Sequence, residues 1–515
     1  MSAGSDAPAD ASDGGAAALR DPTPGRRRDR GFVAALGLTA LGALLPGTAF
    51  LAAGRRVLGG LTLLLFLLLV GGGVWLATGG QRFAARAAVD TDVLMGATIG
   101  LGVLAVLWIV VVVTGYRMLL PRRTSRGRKV LGGLVVVLLV AGIAVPAALA
   151  GHVVLTSRTL IDDVFADDRQ SATVMDSPDP FGAKERVNVL LLGGDGGEGR
   201  EGVRTDTVIV ASTDTETGDT TLFSLPRNLE DLPFPAASPL AAVYPEGFDA
   251  GSESESLLNA VYRNGPAQHP GILGPTDDAG ADFLKLGVGE ALGLTIDFYV
   301  LVNLEGFSRL VDALGGITVN VNYYVPINGD PGTGQLPDDY IEPGPNQRMD
   351  GFTALQFARG RFGLTDYDRM ARQRCTIQAI VDAADPVTLL QSYQELAATT
   401  QDIVHTDIPR SVLDDFVDLA FVVKDADLRS VVFDASVINP AYPDYDRIRQ
   451  LVQEAIAPPV PPVDVPPVEV PSAGTPASGE QPAPDPVTDV GDACAYDPVR
   501  AEEARAKGEP PTRQG

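Results

Sequence analysis

The residues best suited to chemistry lie between Val187 and Asn228, in VNVLLLGGDGGEGREGVRTDTVIVASTDTETGDTTLFSLPRN. Asp195, Arg204, Asp206 and Arg227 stand there at or beside the ends of apolar runs. Strand ends are where an open α/β sheet places its ligand site, and carboxylates gathered with arginines suit a metal ion and a phosphate. A second group follows in Ala358-Arg359-Gly-Arg361 and Asp366-Tyr-Asp-Arg369-Met-Ala-Arg372-Gln-Arg374. Arg369 and Arg372 are three apart on a helix and share a face, while Arg359 and Arg361 lie in the loop feeding it. Planar guanidinium forks match phosphate oxygens two at a time. Two plainer readings stay open: Asp206 as a cap at the start of a strand, and the arginine run as a solvated helix face. The loop Gly193–Gly199 lacks the Walker lysine and hydroxyl and does not match GxGxxG before a helix, so it is no nucleotide cradle by pattern.

These side chains need a scaffold. Val187–Leu192 is a continuous apolar run, as expected of a strand buried on both faces. Thr207–Ser212 and Thr220–Leu225 flank the turn Asp214–Asp219 and read as a hairpin. Residues 228–280 are loop-rich, with a helical patch near Ser256–Tyr262. Helices are expected at Ala281–Leu292, Gly306–Leu314, 351–358 (capped by Asp350) and Asp366–Ala384, with strands at Phe298–Val302 and Ile317–Val321. Helices and strands alternate, so the fold class is α/β, a mixed central sheet with helices on both faces.

A membrane region precedes this domain. Residues 1–30 read as a disordered cytoplasmic arm ending in Arg26, Arg27, Arg28 and Arg30. Apolar stretches at 31–54, 57–79, 93–115 and 130–151 are each long enough to cross a bilayer. The arginine-rich loop from Arg117 to Lys129 belongs in the cytoplasm, as do Arg55 and Arg56. The first stretch then begins and ends on one side and is broken at Pro46-Gly47, which fits a re-entrant hairpin. Three spans follow, residues 152–182 form a stalk, and the domain at 183–457 is expected outside the cell.

Composition excludes several classes. A net charge of −25 argues against nucleic acid as a partner. Two cysteines without a CxxC pattern exclude a structural zinc site, and the three histidines stand beside no serine nucleophile motif. With 35 Arg against 5 Lys, a single surface arginine says little. Residues 458–515 read as a Pro-rich disordered tail (PPVPPVDVPPVEVP). An oxidising exterior permits a bridge from Cys494 in that tail to Cys375.

Taken in order, LLLGGDGG, RTDT, SLPRN, FYVLVNLEGFSRLVDALGGITVNV, MDGFTALQFARGR and DYDRMARQR resemble the LytR-CpsA-Psr family of bacterial cell-wall polymer ligases, of actinobacterial type, from about Val187 to Ile380. The resemblance implies a membrane-anchored phosphotransferase that moves a glycopolymer from a polyprenyl-pyrophosphate carrier to a peptidoglycan acceptor, with Mg²⁺ at the pyrophosphate. It implies that Asp195 and Asp206 are the metal-associated acids and that Arg204, Arg227, Arg359, Arg361, Arg369 and Arg372 bind the pyrophosphate. Asp195, Asp206 and Arg227 become the catalytic candidates, either acid being placed to take the proton of the attacking hydroxyl. Asn228 departs from the family's SIPRD pattern, in which an acid follows the arginine. The prenyl tail requires an apolar cavity, for which Phe307, Leu310, Phe352 and Phe357 are candidates. Two other functions use the same residues: a pyrophosphatase on lipid or nucleoside diphosphates, and a non-catalytic carrier-binding or transcriptional attenuator protein.

Overall fold

The computed structural model describes residues 31–165, 169–174, 181, 184–194, 203–384, 404–424, 426–457 and 486–508. It divides into two compact units, Met1–Val70 with Leu104–Pro146 and Gly71–Val103 with Ala147–Gly515.

In the first unit, α1 (Phe32–Leu44) and α2 (Thr48–Ala52) form a short helical hairpin. Gly47 turns it at φ 102°, where a Cβ would stand 2.4 Å from the Gly59 carbonyl oxygen, so only glycine fits. The hairpin packs through Ala35 and Ala49 against Leu119, and Trp108 donates its indole N–H to the Ala43 carbonyl at 3.0 Å. Among the described residues three helices are long and apolar enough to span a bilayer: α3 (Arg56–Thr78), α5 (Thr91–Leu119) and α6 (Arg126–Val164). Among the described residues of the 31–54 stretch no helix reaches that length, α1 ending before Pro46-Gly47 and α2 beginning after it.

In the second unit, helix α4 (Gln81–Val89) lies against a later helix, Leu413–Val423. Arg86 donates to Asp418 at 2.7 Å and the Arg82 guanidinium sits 5.3 Å from the Phe421 ring centroid. A small core joins Leu94 and Ile161 to Val187, Phe298, Val412 and Leu413.

Among the described residues the central sheet has seven strands: β1 (Arg186–Gly194), β2 (Thr205–Asp214), β3 (Thr220–Leu225), β4 (Phe298–Asn303), β9 (Val404–Thr406), β10 (Leu428–Val432) and β11 (Val487–Asp489). Their order is β11-β10-β3-β2-β1-β4-β9. β1 runs parallel to β4 and β3 to β10, and the other neighbours are antiparallel, so the sheet is mixed. β5 (Ile317–Val321) pairs with β8 (Gly344–Met349), and β6 (Val325–Ile327) with β7 (Asp339–Ile341), away from the main sheet.

Strand alternation sorts β1 into two faces. Leu190 and Leu192 enter the main core with Val208, Val210 and Phe223, under the helices α9 (Leu258–Gln268) and α10 (Ala279–Leu292). The short helices α7 (Leu240–Val243) and α8 (Glu253–Ser256) precede that pair. Leu191 and Gly193 face the other way, towards a cavity. On that side α11 (Leu304–Ala313), α12 (Gly351–Arg359) and α13 (Asp366–Ala383) enclose a second core with β5 and β8, built on Val311, Ile317, Val319, Ala354 and Phe357. The chain continues through α14 (Leu413–Val423) and α15 (Tyr445–Ile456).

The reading of 458–515 as a disordered tail needs correction over 486–508. Strand β11 extends the sheet beside β10, and α16 (Val490–Ala493) and α17 (Pro498–Lys507) follow it. Cys494 is disulfide-bonded to Cys375 on α13, across 119 residues of chain. Asn320 and Asn322 donate to the carbonyls of Cys494 and Ala495 at 3.0 Å each. Arg500 stacks 4.6 Å from the Tyr323 ring centroid. The segment carries few large apolar residues, so its order comes from ladder bonds, polar contacts and one covalent link. A reading of composition does not see these.

Candidate active site

A cavity of about 660 Å³ lies between the odd-numbered face of β1 and the helices α11, α12 and α13. Its walls are apolar at Ile209, Val300, Leu304, Phe307, Leu310, Ile377 and Ile380. Charged and polar side chains line it too: Asp206, Arg359, Arg361, Arg369 and Gln373. Of the aromatic candidates for this lining, Phe307 contributes. Phe357 is buried in the second core instead, and Phe352 points to solvent at 52% exposure. All were candidates for the lining, but α12 turns Phe357 inward because its own core lies there.

The charged side chains are held by element ends. Arg227 follows β3 and reaches Asp206 at 3.1 Å and Asp366 at 3.4 Å. Asp366 opens α13, whose N-terminus is fixed by a capping box between Thr365 and Asp368. Arg369, one turn on, contacts the same Asp366 carboxylate at 3.0 Å and donates to the Asp206 backbone carbonyl at 3.0 Å. Arg361 stands 3.9 Å from Asp366. Three arginines, Arg227, Arg361 and Arg369, thus share the carboxylates of Asp206 and Asp366, while Asp330 and Asp338 also line the cavity. Arg369 is 4% exposed, and its Nε–H has no hydrogen-bond partner among the described residues, which leaves a buried donor for a ligand.

Electrostatics follow from this packing. Burial pushes the Asp206 carboxyl upward, but the Asn259 hydrogen bond at 3.0 Å, Arg227 and Arg369 outweigh it and hold the group below its ordinary value of 3.8. Burial pulls the Arg369 guanidinium down to about 10 against the opposing carboxylates, so it stays charged at neutral pH. Because the folded pKa of Asp206 is depressed, its contribution to stability is present above 3.8 and is lost as pH falls through the folded value. Asp206→Asn is therefore expected to flatten the acid limb of stability below that point. Urea midpoints measured from about pH 2 to pH 5 check this, and an unchanged limb contradicts it.

Arg372 requires a correction. Although it shares a helix with Arg369, it is buried away from the cavity and holds α12 in place. Its Nε donates to the Phe357 carbonyl at 2.6 Å, another N–H goes to the Gly360 carbonyl, and a third to the Tyr323 hydroxyl at 2.9 Å. It caps the last carbonyls of α12 and so fixes the loop that carries Arg359 and Arg361. Arg204 also stands aside from the cavity lining, bonded to Glu255 at 2.7 Å. Asp195 falls outside the described residues, just beyond the cavity-lining Gly194. Asn228 is exposed at the turn after Arg227.

Three site residues carried no signal of their own. Asp366 looks like an ordinary first-turn acid, Asn259 lies 53 residues from the Asp206 it supports, and Gln373 donates to the Thr207 hydroxyl at 2.7 Å.

The LytR_cpsA_psr family model matches residues 155–436, which contain the whole of this cavity. The chain belongs to that family. Among its relatives, the polyisoprenyl-teichoic acid–peptidoglycan teichoic acid transferase TagU of Enterococcus faecalis is 29% identical over 294 residues, covering 55% of this chain and 80% of the relative. TagU of Oceanobacillus iheyensis is 28% identical over 285 residues, covering 54% and 76%. The crystal structure of B. subtilis TagV aligns with a TM-score of 0.36 at 23% identity, over 53% of this chain and 97% of that one. The family model thus covers the half of the chain that holds the arginine–aspartate cluster.

Proposed function

We propose that this protein is a membrane-anchored phosphotransferase that moves a glycopolymer from a polyprenyl-pyrophosphate carrier onto peptidoglycan. One observation carries this reading: a cavity with apolar walls has Arg359, Arg361 and Arg369 in its lining, beside the ion pair of Arg227 with Asp206. A lipid pyrophosphate is divided in the same way, an apolar tail joined to a compact anion. The relatives' names support the substrate class.

The acceptor hydroxyl oxygen attacks the phosphorus that bears the glycan. The bond between that phosphorus and the bridging anhydride oxygen breaks, and polyprenyl monophosphate leaves with the electron pair. Negative charge grows on the leaving phosphate, where Arg227, Arg361 and Arg369 neutralise it. Arg359, at the end of α12, serves the same anion. Asp206 orients Arg227 and takes the hydroxyl proton; held ionised by its arginines, it is a weak base, so most of the rate comes from charge and positioning.

Asp206 also fits a role in holding Mg²⁺. Among the described residues no three His, Cys, Asp or Glu side chains gather into a closed metal cage. Mg²⁺ commonly binds through one or two carboxylates and the substrate's own phosphates, with water completing its shell. Asp206, with Asp195, would supply the protein ligands, and the ion would supply further positive charge to the pyrophosphate.

The three apolar helices attach the protein to the membrane. The arginine-rich 117–129 loop favours the cytoplasm, which puts the catalytic domain on the outer side. The Cys375–Cys494 bridge agrees with an oxidising exterior.

The test incubates the full-length protein in detergent with a polyprenyl-pyrophosphate glycan, Mg²⁺ and peptidoglycan strands. Mass spectrometry should find the glycan in phosphodiester linkage to the peptidoglycan. Glycan phosphate released to water with no linked product would instead make the protein a pyrophosphatase. Leu310→Asp, which places a charge in the apolar wall, is expected to raise the donor KM by about tenfold or more. An unchanged KM would place the prenyl tail elsewhere.

A further inference from the structure

A second concavity, of about 480 Å³, is lined by four aromatic rings, Phe234, Tyr244, Tyr442 and Tyr445, and two carboxylates, Asp231 and Glu246. We propose that this groove binds a neutral saccharide chain, the glycan of the acceptor, by stacking sugar faces on Tyr442 and Tyr445 and accepting hydroxyl hydrogens at Asp231 and Glu246. The proposal rests on the transferase reading above and assigns the acceptor a place on the protein.

The groove is built by the segment that leaves the active site. Asp231 lies four residues beyond Arg227, and the segment between them is tied to the start of α9: Asn259 donates its backbone N–H to the Arg227 carbonyl at 3.0 Å, and Leu258 to that of Leu229 at 2.9 Å. The opposite wall is fixed to this segment too. The Glu230 N–H donates to the Pro440 carbonyl at 3.0 Å, and the Tyr445 hydroxyl to the Glu230 carbonyl at 2.6 Å. Asp231 takes φ 51°, in the left-handed region that costs most side chains energy. Gly247 sits against it at φ 104°, where a Cβ would come within 2.4 Å of the Asp231 carbonyl oxygen. The floor is therefore two backbones in direct apposition, a geometry kept by the surrounding structure at a cost.

The rings are set in place before any ligand arrives. Tyr244 donates its hydroxyl to Gln268 at 2.8 Å and packs with Phe234 at 5.6 Å between centroids. Tyr442, by contrast, stands at the rim with 82% of its surface exposed. Side chains of this size at a rim offer broad contact area for little conformational entropy.

Charge selects the ligand. The groove has no Lys or Arg in its lining, and Glu230 and Glu253 add to the field of Asp231. An anionic polymer or lipid pyrophosphate is repelled here, whereas uncharged hydroxyl groups meet carboxylate acceptors. Burial, helped by Asp249, pushes the Tyr244 phenol up to about 12, so that ring stays neutral as well.

The test titrates the full-length protein in detergent with an uncharged β-1,4-linked N-acetylglucosamine oligosaccharide, followed calorimetrically. Saturable binding is expected, weakened about tenfold by Tyr442→Ala and severalfold by Glu246→Gln, with donor binding unchanged. Because Tyr442 is exposed, its variant is expected to melt with the native protein. No binding, or equal binding by Tyr442→Ala, overturns the proposal. So does tyrosine-dependent binding of a cationic stem peptide with none of the saccharide. Transfer that proceeds with an acceptor KM insensitive to Tyr442→Ala defeats the groove and leaves the transferase standing. Tyr442-dependent saccharide binding without any transfer does the reverse.

Discussion

Arg227→Ala should lower kcat/KM for glycopolymer transfer by about two to three orders of magnitude, the scale of removing one preorganised charged donor from a transition state. Arg227 is the residue that links the two halves of the site: it contacts Asp206 on β2 and Asp366 on α13, elements far apart in the chain. In the proposed reaction its loss would remove a planar fork from the pyrophosphate and leave the two carboxylates to repel the same anion. Arg227→Lys restores the charge but not the fork, so an intermediate rate is expected. Both side chains of the Arg227–Asp206 pair are about one-third exposed, so the variant's stability should fall by about 1 kcal/mol or less. Initial rates at varied donor concentration, paired with thermal melts, separate the two effects. A rate within about twofold of native, in a folded variant, would remove Arg227 from the chemistry.

Breaking the Cys375–Cys494 bridge should cost about 2–4 kcal/mol, because a link closing 119 residues removes much freedom from the unfolded chain. For a domain of this size that corresponds to a fall in melting temperature of about 5–15 °C. Cys494→Ser and chemical reduction should give the same shift, and the variant should then ignore reductant. The position also carries a functional consequence. Cys375 lies six residues along α13 from Arg369, so releasing the strap loosens the helix that presents that arginine to the cavity. Melts of native and Cys494→Ser protein that coincide would show that the tail contacts alone suffice.

What could be read from residues alone was what local physics controls. The apolar run of β1, the hairpin from β2 to β3 and the caps at Asp350 and Thr365 are decided by neighbours a few residues away. The same holds for the three long apolar helices among the described residues, each long enough to cross a bilayer. Strands β9, β10 and β11 were not legible, since each is only three to five residues long and forms by pairing with a sheet already in place. The order of 486–508 was hidden for a related reason: its partners, Asn320, Asn322 and Cys375, are distant in sequence.

The arginines mark the boundary most clearly. Sequence by itself determined their number, their charge and that Arg369 and Arg372 share a helix face. Only the tertiary structure decided that Arg369 meets Asp206 and the cavity while Arg372 is consumed by the carbonyls ending α12. A helix turn fixes direction to within a face, but the group that meets a side chain is set by how other elements pack against that face. That packing depends on burial summed over the whole domain, which no local pattern contains.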